Sequence, residues 1–166
     1  MIEISPATHG DVEAIALLMD DLDRFYGATD IEPPRERVTQ IAAALFEDPR
    51  AAYALLAWKG EQLVGMAAYS FLWPAAGVTR SLYLKEIYVT ESARRKGTGV
   101  ALMRQLCRIA IEHACSRVEW TTDKGNLVGE AFYERLGAPQ NQEKIFYRLE
   151  DEDIRRIAAS CSHDPS

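Results

Sequence analysis

The sequence is poor in the residues that build covalent or metal frameworks. Its three cysteines, Cys107, Cys115 and Cys161, are odd in number and share no paired spacing, so neither a disulfide scaffold nor a zinc site is expected. Cys107 reads as a small core residue within a helix. The histidines His9, His113 and His163 are isolated from one another and lack a nucleophile partner or ligand spacing, so no chemistry is assigned to them. No basic leader or long apolar run follows Met1-Ile2-Glu3-Ile4, so neither a signal peptide nor a membrane span is expected and the default compartment is cytoplasmic. Basic excess is absent too. The formal net charge of −6 argues against a nucleic-acid partner, which normally demands a basic face, and is compatible with a cationic ligand. There is no repeat, low-complexity run or linker. The length of 166 residues therefore suggests a single domain spanning 1–166.

What is present centres on Ser81 to Leu106. The stretch opens as an alternating strand, with Leu82, Leu84 and Glu86 expected on one face and Tyr83, Lys85 and Ile87 on the other. A polar turn at Thr90-Glu91-Ser92 leads into Arg94-Arg95-Lys96-Gly97-Thr98-Gly99, after which Val100, Leu102, Met103 and Leu106 begin a helical stripe. A helix N-terminus carries unpaired N–H groups and about half a positive charge. Glycines allow close approach of a phosphate to the main chain, and three basic side chains add to the sign. The stretch reads as a diphosphate cradle. It is not a Walker A loop, whose spacing is absent, nor a dinucleotide fingerprint, whose third glycine is replaced by Leu102. Arg94, Gly97 and Gly99 instead form an Arg-x-x-Gly-x-Gly run at a strand–helix junction, and in this the sequence resembles the GNAT acyltransferases.

The rest of the chain agrees in order. Ile2–Ser5 reads as a strand closed by Pro6, and Thr8–Asp11 offers cap residues before a helix marked by Val12, Ile15, Ala16, Met19 and Leu22. Asp20, Asp21 and Asp23 gather near its C-terminus, where the dipole disfavours acids. They are either a solvated acidic face or part of a site. A second helix is expected over Pro34–Phe46, strands over Ala52–Trp58 and Leu63–Leu72 around a Lys59-Gly60-Glu61 turn, then the central strand and a helix to about Ala114. Val118–Thr122 reads as a strand, Leu127–Leu136 as a helix stopped by Gly137, Ile145–Leu149 as a last strand and Asp151–Ala159 as a terminal helix. Cys161–Ser166 is expected to fray. This order matches the GNAT fold, an α/β (α+β) architecture whose mixed, mostly antiparallel central sheet is flanked by helices and has splayed central strands.

A second run strengthens the resemblance. Asn126 is followed seven residues later by Tyr133 within Phe132-Tyr133-Glu134-Arg135-Leu136-Gly137, similar to the other GNAT hallmark. The resemblance implies acetyl-coenzyme A as cosubstrate and no metal, with the pantetheine paired to backbone groups of Ile87, Tyr88 and Val89. It implies main-chain donors from Arg95 through Lys96, Gly97, Thr98 and Gly99 to Val100 at the pyrophosphate, with charge from Arg94 and Lys96, and Asn126 at the pantetheine amides. Tyr133 falls on the position that protonates the departing thiolate, for which a phenol of pKa about 10 is suited. Its alternative is an aromatic packed on the core.

An alkyl amine of pKa about 10.4 is neutral in roughly one molecule in a thousand near pH 7.4, so a positioned base helps. Glu86 is the candidate, acting directly or through water. Its alternatives are the group that binds the cationic amine and an exposed acid paired with a neighbouring cation. Tyr83-Leu84-Lys85-Glu86-Ile87-Tyr88-Val89 is most similar to the diamine and polyamine acetyltransferase subgroup (spermidine/spermine and thialysine), although Lys85 stands where that subgroup has an acid. Phe25 and Tyr26 fall where the subgroup lines its acceptor pocket, or else staple a helix to the sheet. Trp120 reads as core or cofactor wall. The implied function is N-acetylation of a small-molecule primary amine by a homodimer. The alternatives are a protein or peptide acetyltransferase and a non-catalytic coenzyme A-binding module.

Overall fold

A computed structural model describes residues 1–159; the expectations for Cys161–Ser166 and His163 lie outside the described residues. The chain divides into two compact units, Met1–Lys124 and one beginning at Gly125. The first unit holds a five-stranded sheet in sequence order: β1 (Glu3–Pro6), β2 (Tyr53–Lys59), β3 (Gln62–Leu72), β4 (Arg80–Val89) and β5 (Cys115–Glu119). Each neighbouring pair is antiparallel except β4–β5, which is parallel. A parallel pair needs a crossover, and α3 (Thr98–Glu112) supplies it. The sheet is thus mixed and mostly antiparallel, as read from the sequence.

Helices cover both faces. On one, α1 (Val12–Phe25) and α2 (Pro34–Phe46) bring Val12, Ile15, Leu18, Leu22, Ile41 and Leu45 against Ala54, Leu56, Met66 and Tyr88. The start of α1 is fixed by Thr8 and Asp11, since Asp11 accepts from both the Thr8 N–H and hydroxyl at 2.7 Å. On the other face α3 packs against β4 and β5. Its Leu102, Met103 and Leu106 are fully buried, as are Leu82 and Leu84 of β4. Each such leucine contributes about 1.5–3 kcal/mol of burial.

Four expectations need correction. Cys107 is exposed, because it lies roughly a quarter-turn beyond the stripe of Leu102, Leu106 and Ile109. The strand expected at Val118–Thr122 begins earlier, at Cys115, because its parallel pairing with β4 starts at Arg80↔Cys115 and ends at Tyr83↔Glu119. Ile145–Leu149 is not a strand. Among the described residues the second unit supplies no strand to pair with it, and a lone strand leaves its backbone groups unsatisfied. The fourth concerns Glu86. Register steps from Tyr69↔Leu84 to Ala68↔Glu86, leaving Lys85 as the extra residue of a β-bulge. Alternation therefore inverts at Lys85, and Glu86 joins Tyr88 on the α1–α2 face while Leu82 and Leu84 face α3.

The second unit contains α4 (Leu127–Leu136) and α5 (Asp151–Ala159). The Asn126 side chain caps α4 by accepting from the Gly129 N–H at 3.1 Å, and Glu130 accepts from the Gly125 N–H at 3.0 Å. Gly137 closes it in the left-handed conformation, φ +74°.

Candidate active site

β4 and β5 part after Tyr83↔Glu119, so among the described residues Leu84–Val89 carry no strand partner on the β5 side. The Thr90 N–H donates to the Val64 carbonyl at 2.9 Å. Because backbone groups of an antiparallel strand point alternately to either side, Val89 and Ile87 turn theirs to the open edge and Tyr88 turns its own to β3. A Cβ on Gly65 would lie 3.0 Å from the Tyr88 carbonyl oxygen, consistent with that direction. Of the three residues expected along the pantetheine, Ile87 and Val89 thus face the edge away from β3, where the Val89 carbonyl accepts from Arg94, and Tyr88 faces β3.

The basic loop follows at once. Glu91–Ala93 forms a single 3-10 turn, Arg95 and Gly97 adopt positive φ (60° and 82°), and Gly97 caps α3. A Cβ at Gly97 would meet nothing within 4 Å, so the demand for glycine there is conformational. The Thr98 hydroxyl, buried, donates to the Ala93 carbonyl at 3.2 Å and ties the helix start to the turn. The first intrahelical donor is Ala101, to Gly97 at 2.9 Å. The N–H groups of Thr98, Gly99 and Val100 accordingly have no acceptor in the helix and stand at its positive end. Lys96 reaches back to the Ser92 carbonyl at 2.7 Å. The Arg94 side chain turns the other way: its Nε donates to the Val89 carbonyl at 2.9 Å, and its guanidinium lies 4.5 Å over the Phe25 ring and 5.6 Å from that of Tyr88.

Glu86 is half-buried on the α1–α2 face. Burial pushes its carboxyl above the ordinary glutamate range; the Ile87 backbone hydrogen bond and Lys85 oppose this, and Asp123 and Asp23 add to it. Tyr26 is raised by burial, then by the charges of Glu86 and Asp123, with Arg94 opposing. Phe25 and Tyr26 meet edge to face at 5.3 Å, and Phe25 also touches Tyr88 at 5.9 Å. Phe25, Tyr26, Tyr88, Glu86 and Arg94 thus form one neighbourhood at the end of α1.

The three aspartates of α1 are engaged rather than simply solvated. Asp20 pairs with Arg24 at 3.0 Å. Asp21 accepts from the Tyr88 hydroxyl at 2.7 Å; burial first, and then this hydrogen bond, push that phenol up to about 12. Asp23 pairs with Arg37 at 2.6 Å, and Arg37 also holds Glu32 at 2.6 Å. Sequence reading missed Arg37, which is buried. Its signal was present, since Arg37, Ile41 and Leu45 share one face of α2 at spacing four. Asp123 was missed also; it sits in a polar loop with no periodicity to mark it.

In the second unit Tyr133 lies on α4, its ring 5.2 Å from that of Phe132. Asn126 is the α4 cap described above. Two hollows occur elsewhere in the first unit, one of about 280 Å³ beside Met1, Lys59 and Lys96 and one of about 600 Å³ beside Leu17 and Thr90; neither is lined by Glu86 or Tyr26. Among the described residues no cluster of three or more His, Cys, Asp or Glu could hold a metal, and no helix is long and apolar enough to cross a membrane.

An open edge on a bulged central strand, followed by a glycine-capped helix N-terminus, is the arrangement that comparison with known proteins addresses. The profile of the acetyltransferase (GNAT) family matches residues 15–138. The chain belongs to that family. It is 27% identical over 103 residues to the thialysine N-epsilon-acetyltransferase of Mus musculus, covering 60% of each chain. It is 29% identical over 85 residues to the L-ornithine N5-acetyltransferase of Arabidopsis thaliana, covering 51% of this chain and 37% of that one. The chain thus spans 60% and 37% of the length of these two relatives. Among solved structures, an integron cassette protein from the mobile metagenome of V. cholerae superposes with a TM-score of 0.89 at 28% identity, covering 96% of this chain and 98% of that one.

Proposed function

We propose that residues 1–166 form one catalytic domain that transfers the acetyl group of acetyl-coenzyme A to a primary amine of a small molecule. The observation that carries this is the bulge at Lys85, which places the Glu86 carboxyl on the α1–α2 face beside Tyr26 and next to the open edge of β4. Pantetheine would extend the sheet along Ile87 and Val89, sharing with Arg94 the Val89 carbonyl, which has a second lone pair. The N–H groups of Thr98, Gly99 and Val100, with the flanking Arg95, Lys96 and Gly97, would hold the pyrophosphate. Asn126 is assigned to the pantetheine on the strength of its motif.

Glu86 binds the cationic amine or takes its proton, directly or through water, and burial raises its affinity for a proton above that of an ordinary glutamate, the direction that favours a base. The neutral amine attacks the thioester carbonyl, the tetrahedral intermediate collapses with cleavage of the C–S bond, and Tyr133 donates its proton to the departing thiolate. Tyr133 receives this role from its spacing to Asn126 and its place in the Phe-Tyr-Glu-Arg run. Phe25 and Tyr26 form an apolar wall suited to the alkyl portion of the acceptor. The names of the thialysine and ornithine relatives support an amino-acid-like diamine as acceptor, and a homodimeric, cytoplasmic enzyme is part of the same reading.

The test is thiol release from acetyl-coenzyme A against diamines, polyamines, lysine analogues, aminoglycosides and short peptides. Turnover confined to one small-amine class supports the reading. Turnover on peptides alone, or none with coenzyme binding intact, overturns it.

A further inference from the structure

Arg94 opens the coenzyme loop in sequence, yet its side chain is built into the other half of the site. Nε donates to the Val89 carbonyl at 2.9 Å, and the guanidinium Cζ lies over the Phe25 ring, 4.5 Å from its centroid, and 5.6 Å from that of Tyr88. Phe25 is the last residue of α1 and is about half exposed, at 46%. Its ring would have little to hold it without Arg94 above and Tyr88 beside it, and it is the ring that Tyr26 meets edge-on at 5.3 Å. The same end of α1 is anchored one turn earlier by Asp21, which accepts from the Tyr88 hydroxyl at 2.7 Å.

We propose that Arg94 is a positioning residue for the acceptor amine, holding Phe25 and through it Tyr26 against β4, and is not a ligand of the coenzyme phosphates. The chemistry of the side chain fits the task. A guanidinium is flat, so it stacks on an aromatic face while its edge donates to a carbonyl; a lysine ammonium cannot do both. The clamp links the end of the strand that would bear the pantetheine to the wall that would bear the amine.

This rests on the acetyl-transfer reading for its kinetic arm, so a second arm does not use turnover. In the kinetic arm, Arg94→Lys raises the acceptor KM roughly fivefold, the scale of a lost cation–π contact, while the Kd for acetyl-coenzyme A by calorimetry stays within about twofold. In a Phe25→Leu background Arg94→Lys has no further effect on acceptor KM, because the ring through which it acts is gone. A coenzyme Kd weakened about tenfold with acceptor KM unmoved, or effects of the two substitutions that simply multiply, overturns the proposal. In the second arm the Arg94 Nε–H resonance, assigned by its loss in Arg94→Lys, is shifted upfield by the Phe25 ring and protected from exchange. It loses the shift in Phe25→Leu and keeps it when coenzyme A is added. A resonance without that shift, or one released on adding coenzyme A, overturns the clamp whatever the turnover. A shift that persists in a protein that acetylates no amine leaves the clamp standing and removes the acetyl-transfer reading.

Discussion

Leu84 and Glu86 stand two residues apart on β4 and point to opposite faces of the sheet, because the register passes from Tyr69↔Leu84 to Ala68↔Glu86 with Lys85 between. Leu84 is buried toward α3, whereas Glu86 is half-buried on the side of Tyr26, Asp23 and Asp123. A regular strand would have put the carboxyl against α3 with the leucines. There it would be costly to ionise and remote from the aromatic wall.

The raised proton affinity of Glu86 gives a signed expectation for stability. Between the ordinary glutamate pKa and its own higher value the folded chain holds a proton that the unfolded chain has released. Stability from this group is therefore present at low pH and lost as pH rises through the folded pKa. Glu86→Gln removes the dependence, so its urea midpoint should gain on the parent's as pH rises above the ordinary glutamate value of about 4.3 and level off above the raised folded value. A gap that does not change with pH would contradict the assignment. In turnover the same substitution should cost at least about a hundredfold if Glu86 is the base.

Tyr133→Phe should lower kcat at least about tenfold and leave the calorimetric Kd for acetyl-coenzyme A nearly unchanged, since only the proton donor is lost. Equal kcat in the variant removes Tyr133 from the reaction.

Gly97 sits at φ +82° with open space where a Cβ would go. Gly97→Ala should therefore cost about 1 kcal/mol of stability through backbone strain alone. It should also weaken coenzyme binding, as the donors of Thr98 to Val100 move off the pyrophosphate. Thermal melts and calorimetry measure both, and undiminished coenzyme affinity would speak against the cradle.

Gly65 is required for a different reason. A Cβ there meets the Tyr88 carbonyl oxygen at 3.0 Å and Val89 Cγ2 at 3.3 Å, and neither backbone nor strand side chain can easily withdraw. Gly65→Ala should destabilise by about 1–3 kcal/mol, as overpacking does, whereas Gly60→Ala, in the open β2–β3 turn, should show only conformational strain.

Elements bounded by strong local chemistry were legible. α2 begins at Pro34, which suits a first helical turn, and α4 runs over Leu127–Leu136 to a stop at Gly137, both as read. The loop from Arg94 to Gly99 was legible because a glycine at positive φ and a following helical stripe are local features. What long-range pairing decides was not. The start of β5 is set by Arg80, some thirty-five residues earlier, and nothing in Cys115-Ser116-Arg117 announces it. The bulge was hidden because Leu82-Tyr83-Leu84-Lys85-Glu86 alternates well enough for one unbroken strand. Arg94 resembled a phosphate ligand by position, and only the fold shows that Phe25 lies within its reach.

The dislocation at Lys85 also changes how any survey of β4 must be read. Reactive probes placed at even-numbered positions from Leu82 onward would report the α3 interior as far as Leu84, then the α1–α2 side from Glu86 to Tyr88. Tolerance for polar replacements should shift phase at the same point. One added residue exchanges which alternate positions of the strand meet each face, so sequence drift before and after it is constrained by different neighbours.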